Sequence, residues 1–482
     1  MAASFFFYDL ETSGISPRSA RIMQFAGQRT DMDLNPIGEP ANALIKLTPD
    51  VVPVPDAIFI TGITPQQTLV DGYTEAEFLK YFYDEVVKPD TIFVGYNSVR
   101  FDDEFMRFLH YRNFYDPYEW HWTSDCSRWD LLDVVRMTRA LRPDGIVWPF
   151  APNGKPSNRL EYMTSVNKLD HEHAHDALSD VLATIAVAKL IKSKQPDLFK
   201  YLLDCRMKKV VSELVLKGAP FVYTTGKYPS EVLHSSAAVL LTKHPKQESA
   251  IVYDLRHDPT PYMAMSVDEL VTAWQYNVDP EAVRLPVKTL KYNRCPAVAP
   301  LGVIKDEITQ ERLGLSITTV MKHLQLLKRG HEQFAIKLLA AQERLDLDRE
   351  QSGEGSSSLS VDERLYEKFY DTNDKQAMKA VRAVSPDELN DERFKFHDER
   401  LVSLLPLYKA RNYPQSLSSE ERAEYDGFCH RQVFDGGQQS KLSVYFNRLS
   451  ELAKTDITDQ QKYLLEELQL YGQSIVPADA TE

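Results

Sequence analysis

The segment that most constrains this chain is Ser4 to Glu11, SFFFYDLE, in which four aromatic residues in a row lead into Asp9 and Glu11. A run that is apolar on both faces reads as a strand covered on both sides, as the layers of an α/β domain provide. Side chains repeat every two residues along a strand, so Asp9 and Glu11 project from one face. Two carboxylates placed together repel and lose hydration unless a cation sits between them. Hard oxygen donors of this kind suit Mg²⁺ or Mn²⁺. Taken alone, the pair is also compatible with a solvated strand edge or a helix-capping group.

Two later stretches extend the acidic pattern. Thr91 to Val94 is a short apolar strand ending at Gly95, after which Asn97 turns the chain and Asp102 stands near the start of a helix, where the positive end of the helix dipole tolerates an anion. Ala174 to Lys194 reads as a helix that stops before Pro196. His175 falls in its first turn and Asp180 follows five residues on. Each stretch has an ordinary structural reading, but three acidic elements in this order point to a metal-dependent site.

Around these stretches the chain divides by texture. Residues 1–196 alternate strand-like and helix-like runs, with strands at Met23 to Thr30 and Ala43 to Leu47 and a helix over Glu75 to Val87. Residues 197–350 hold short β-like runs (Phe221 to Thr225, Ala237 to Thr242, Ala250 to Asp254, Leu285 to Lys288) followed by helical sequence, which predicts a small barrel or sheet with helical additions. QSGEGSSSLS, 351–360, reads as a linker, and 361–482 is almost wholly helical in pattern.

DLET, NSVRFD and HDALSD resemble, in order, the three motifs of the DEDDh exonuclease superfamily. FDDEFMRFLHYRNFYDPYEW, SRWDLLDVVR, LRPDGIVWP and RLEYMT resemble the exonuclease domain of the bacterial exodeoxyribonuclease I (exonuclease I) family. LPVKTLKYNRCPAVA resembles its middle domain, and YKARNYP with HRQVF its C-terminal domain. The resemblance implies an α/β, ribonuclease-H-like exonuclease domain over 1–196, a small SH3-like β-barrel domain over 197–350 and an all-helical C-terminal domain over 361–482. It further implies 3′→5′ hydrolysis of single-stranded DNA to 5′-mononucleotides, in DNA repair and recombination. Asp9, Glu11, Asp102 and Asp180 would hold two Mg²⁺ ions (Mn²⁺ as the substitute), His175 would act as general base, and Glu11 and Arg159 would touch the substrate. The C-terminal tail of single-stranded-DNA-binding protein is an implied partner, with Arg411 and Arg431 as candidate anion contacts. The serine-rich spacer has no counterpart in the resemblance.

The segment 93–129 holds twelve aromatic residues, and Arg100 to Arg142 contains seven arginines and no lysine. Aromatic faces stack bases with little regard to sequence, and arginine forks grip phosphates. Phe101, Phe105 and Phe108 fit the core face of a helix, whereas Tyr118, Trp120, Trp122, Arg107, Arg112, Arg128 and Arg136 are candidates for contact with a DNA strand. His171 and His173 read as solvated loop residues rather than metal ligands.

Composition narrows the function class. Fifty-six Lys and Arg against 70 Asp and Glu leave a formal charge of −14, which excludes a nonspecific polycationic coat for nucleic acid and requires a local basic groove. Four cysteines without a CxxC pair suggest free thiols rather than a disulfide or zinc framework. No apolar run is long enough to cross a membrane, and the N-terminus lacks the basic start of a signal peptide, so a cytoplasmic, monomeric protein is expected. An RNA-trimming exonuclease of the same superfamily and a non-catalytic DNA-binding scaffold are the competing readings. The middle and C-terminal segments argue against the first, and the presence of all four carboxylates and His175 against the second.

Overall fold

The computed structural model describes residues 3–170, 176–275, 282–351, 359–390 and 393–476. The chain packs as two compact units, one formed by Met1–Cys126, Glu172–Leu182 and Leu359–Glu482, the other by Ser127–His171 and Ala183–Ser358.

In the first unit, β1 (Ser4–Thr12), β2 (Ile22–Thr30), β3 (Ala41–Leu44) and β4 (Thr91–Gly95) run in the order β3-β2-β1-β4. β2 is antiparallel to both β1 and β3, whereas β4 is parallel to β1, with Phe7 opposite Val94. Phe6, Tyr8 and Leu10 alternate into a core with Phe25, Phe78, Phe82, Phe93 and Trp120, while Phe5 and Phe7 are buried on the opposite face. Parallel pairing brings the C-terminal ends of β1 and β4 to the same edge of the sheet, where ligands of open α/β sheets bind. At that edge the β1–β2 register shifts between Glu11 and Thr12, a bulge of the kind that re-aims side chains. β4 ends at Gly95, where a Cβ would stand 2.5 Å from the Ser98 Cβ, so the close turn requires glycine. Asn97 then takes the left-handed turn at φ 69°.

The expected helix over 75–87 is α-helical for Glu75–Tyr81, opened by a Thr74–Glu77 capping box. It continues as a π turn over Phe82–Val86 that keeps Phe82 and Val86 in the core. The C-terminal part of this unit is helical, including Thr372–Ala383, Glu399–Asn412, Ser419–Phe434, Lys441–Leu452 and Asp459–Ser474. It is tied to the sheet segment by a buried ionic cluster. Arg411 Nη2 stands 2.6 Å from Asp362 and 2.8 Å from Asp50, and Arg21 Nη2 reaches the same two carboxylates at 3.2 and 3.4 Å. This corrects the reading of Arg411 as an anion contact: its guanidinium is buried and committed to two aspartates. Arg431 is exposed.

The second unit contains β5 (Ser127–Asp130) and a five-stranded antiparallel sheet in the order β10-β6-β7-β8-β9. Its strands are β6 (Phe221–Thr224), β7 (Ser235–Lys243), β8 (Ser249–Asp254), β9 (Val287–Lys291) and β10 (Ala297–Pro300). The strand runs expected from sequence fall within one or two residues of β6, β7 and β8, and β9 lies two to three residues further along. A 35-residue helix, Ile317–Gln351, follows, with non-helical dihedrals at Gly330. Residues 352–358 of the expected linker lie outside the described residues. All four cysteines are free thiols, and no helix among the described residues is long and apolar enough to cross a membrane.

Candidate active site

Asp9, Glu11 and Asp180 each offer a carboxylate oxygen, and these oxygens lie within 4.8 Å of one another. The first two come from the period of β1. Asp180 comes from the first turn of the helix Ala177–Lys194. Asp102 opens the helix Asp102–Arg112 and is buried. It belongs to the same electrostatic field: the Asp9 carboxyl is held well above the ordinary range by burial first, then by Asp102, Glu11, Asp180 and Asp176. Glu11 is pushed up to about 8 by burial, then by Asp180, Asp102 and Asp176. Acids crowded in this way strongly resist ionisation until a cation arrives. An all-carboxylate oxygen set is what hard divalent cations take, so these residues fit a Mg²⁺- or Mn²⁺-type ion.

His175 lies outside the described residues, as do His171 and His173. Asp176, by contrast, is described and belongs to the field around Asp9 and Glu11. Its place in HDALSD, just before the helix that carries Asp180, where Asp commonly caps the first turn, is the signal that could have found it.

The aromatic and basic candidates separate by burial. Arg112 is 2% exposed and paired with Glu75 at 2.7 Å, and Trp120 lies wholly in the core. Neither is available to DNA, which corrects both expectations. Arg128 is buried, its Nη2 donating to the Asn293 carbonyl at 2.8 Å, and Arg136 pairs through Nη1 with Asp133 at 2.6 Å. Arg107 pairs with Glu104 at 2.6 Å and lies 5.2 Å from the Tyr118 ring centre. Trp122 is 57% exposed. Arg159, in the second unit, has a side chain 71% exposed, with Nη1 3.6 Å from Glu161. Sequence reasoning passed over Phe369, which is 84% exposed with its ring 5.9 Å from that of Tyr118. Beside it, the Tyr366 hydroxyl donates to Glu104, on the helix that Asp102 opens. Nothing local in EKFYD marks that ring as surface rather than core.

The mixed sheet with acids gathered at its C-terminal edge, together with a match to the exonuclease family, makes this a ribonuclease-H-like nuclease, a hydrolase. The chain matches the exonuclease family over residues 6–188, the exonuclease I SH3-like domain over 206–344 and the exonuclease I C-terminal domain over 359–475. It belongs to the exonuclease I family.

Exodeoxyribonuclease I of Escherichia coli is 38% identical over 484 residues, covering 98% of each chain. That of Haemophilus influenzae is 37% identical over 478 residues, covering 97% of this chain and 98% of the relative. Among solved structures, the moderately thermophilic exonuclease I of Methylocaldum szegediense superposes with a TM-score of 0.91 at 38% identity, over 99% of this chain and all of that one. E. coli exonuclease I with a dA16 oligonucleotide gives 0.91 at 36% identity, over 98% and 100%. A zinc-bound complex of the E. coli enzyme with single-stranded DNA gives 0.91 at 36% identity, over 99% and 100%. An exonuclease I structure with SSB, holding an inhibitor, gives 0.89 at 36% identity over the same shares.

Proposed function

We propose that this chain hydrolyses single-stranded DNA from the 3′ end and releases 5′-mononucleotides, with two Mg²⁺ ions held by Asp9, Glu11, Asp102 and Asp180 and Mn²⁺ able to replace them. The observation that carries this reading is the convergence of Asp9, Glu11 and Asp180 within 4.8 Å, in a chain aligned nearly end to end with exodeoxyribonuclease I. When bound, the ions supply an activated water at neutral pH and offset charge on the scissile phosphate. The chain's own residues do the rest. Glu11 and Asp102 are buried and Asp9 and Asp180 half-buried, so the four carboxylates sit where charge interactions are stronger than in open water. His175 accepts the proton of the attacking water, the role that the DEDDh resemblance implies and that an imidazole suits near neutral pH. Glu11 also touches the terminal nucleotide, and the exposed guanidinium of Arg159 binds phosphate. Tyr118, Trp122 and Phe369 offer ring faces to bases, with Arg107 braced beside Tyr118.

Single-stranded DNA and the C-terminal tail of single-stranded-DNA-binding protein are the partners under this reading, in repair and recombination in a bacterial cytoplasm, with the protein acting as a monomer. The test uses 5′-labelled single-stranded DNA with duplex DNA and RNA controls, with Mg²⁺ or EDTA. A ladder shortening from the 3′ end, absent in EDTA and weak on duplex or RNA, is expected. Faster shortening of RNA would overturn the substrate, and tight binding without cleavage would overturn the activity.

A further inference from the structure

Gln24 stands directly opposite Glu11 on β2, so the two side chains leave the same face of the sheet. It is 6% exposed. Its Nε2 donates to Asn42 Oδ1 of β3 at 3.0 Å and to Asp176 Oδ1 at 3.4 Å. Both amide hydrogens are thus directed at acceptors, and the buried Oε1 has no hydrogen-bond partner among the described residues. The reversed amide would set Oε1 against the Asp176 carboxylate, so the acceptors dictate the orientation.

Asp176 works in the other direction along the chain. Its Oδ2 accepts from the Ser179 amide at 3.1 Å, its carbonyl accepts from the Asp180 amide at 3.0 Å, and the helix begins at the next residue. This is an N-cap, with the side chain satisfying a free donor of the first turn. One carboxylate therefore joins the first turn of the Asp180 helix to the strand lying beside Glu11. Gln24, Asn42 and Asp176 also line a polar cavity of about 520 Å³.

We propose that Gln24 and Asp176 form a positioning pair for the metal site: the amide, anchored on Asn42, holds the cap and with it Asp180 at the distance from Glu11 that a divalent cation requires. The inference rests on the metal-dependent reading above, and neither residue is a ligand in it. Partners that orient metal ligands typically change metal affinity by about 10- to 100-fold when removed.

The test is Mn²⁺ binding to the full chain without DNA, followed by electron paramagnetic resonance, with melting in EDTA measured alongside. Gln24→Ala is expected to weaken Mn²⁺ binding by about 10- to 100-fold while its melting temperature in EDTA stays close to wild type. Asp176→Ala weakens it at least as much, and the double variant is no weaker than Asp176→Ala, because both changes break one contact. Asn42→Ala, at an exposed position, gives a smaller loss of the same sign and serves if Gln24→Ala does not fold. Wild-type affinity in Gln24→Ala, or losses that multiply in the double variant, would overturn the pairing. Failure of the wild-type chain to bind Mn²⁺ at all would instead overturn the metal reading on which it rests.

Discussion

Replacing Glu11 by glutamine keeps the shape of a buried side chain and removes one of the charges crowded at the end of β1. Without a cation the folded chain holds this carboxyl at about 8 against an ordinary 4.5, chiefly through burial and then through Asp180, Asp102 and Asp176. At about 1.4 kcal/mol for each pH unit, that gap corresponds to on the order of 5 kcal/mol once the group ionises. This is an upper figure, because Asp9 draws on the same charges. Between those two values the folded chain keeps a proton that the unfolded chain has released, so stability falls as pH rises. The contribution is complete below about 4.5 and lost above about 8.

In EDTA, Glu11→Gln should therefore match wild type near about pH 5 and exceed it by roughly 2–5 kcal/mol near about pH 8.5. Urea denaturation at the two pH values reads this difference directly. Adding Mg²⁺ should raise the midpoint of wild type and leave the variant nearly unmoved, since ligand binding stabilises only the form that binds. Hydrolysis by the variant should fall by at least about a thousandfold. If Glu11→Gln were less stable than wild type at the higher pH in EDTA, carboxylate crowding would not be the cost that a cation relieves.

Other residues give sharper tests of chemistry and grip. Asp180→Ala is expected to lower turnover at saturating DNA by about a thousandfold or more while DNA binding persists, and His175→Ala to lower it by roughly 10²–10⁴-fold; both are measured in single-turnover assays at matched Mg²⁺. Phe369→Ala should raise KM for oligonucleotides by about 5- to 100-fold through loss of base stacking, with kcat unchanged and Phe369→Trp restoring affinity. Arg411→Met leaves Asp50 and Asp362 buried without their main cation and should cost about 3–5 kcal/mol in urea denaturation.

Legibility followed the range of the interaction. The strand carrying Asp9 and Glu11, the helix carrying Asp180 and the strands of the second sheet could be read because each is a run of neighbouring residues suited to one local geometry, with its own stop signal. Asn97 and Gly95 announced a turn for the same reason. Arg112, Trp120 and Arg411 misled because a residue's type states what it can do, whereas its burial depends on partners far along the chain. Those partners are Glu75 for the first, the aromatic core for the second, and Asp50 with Asp362 for the third. Phe369 shows the converse: an aromatic in an ordinary helical-looking segment that the fold leaves in solvent.

By itself, the sequence placed Asp9 and Glu11 on one face of a strand, Asp102 near a helix start and Asp180 in the first turn of another helix, because each placement depends on neighbouring residues alone. Tertiary structure alone decided that Asp9, Glu11 and Asp180 share one small volume and that Gln24 reaches Asp176. It alone decided, too, that residues 359–482 pack in one unit with the opening strands rather than apart from them. The physical reason is that parallel pairing of β1 with β4 and the buried ionic cluster both join residues far apart along the chain, and no local pattern records a contact whose partner lies elsewhere.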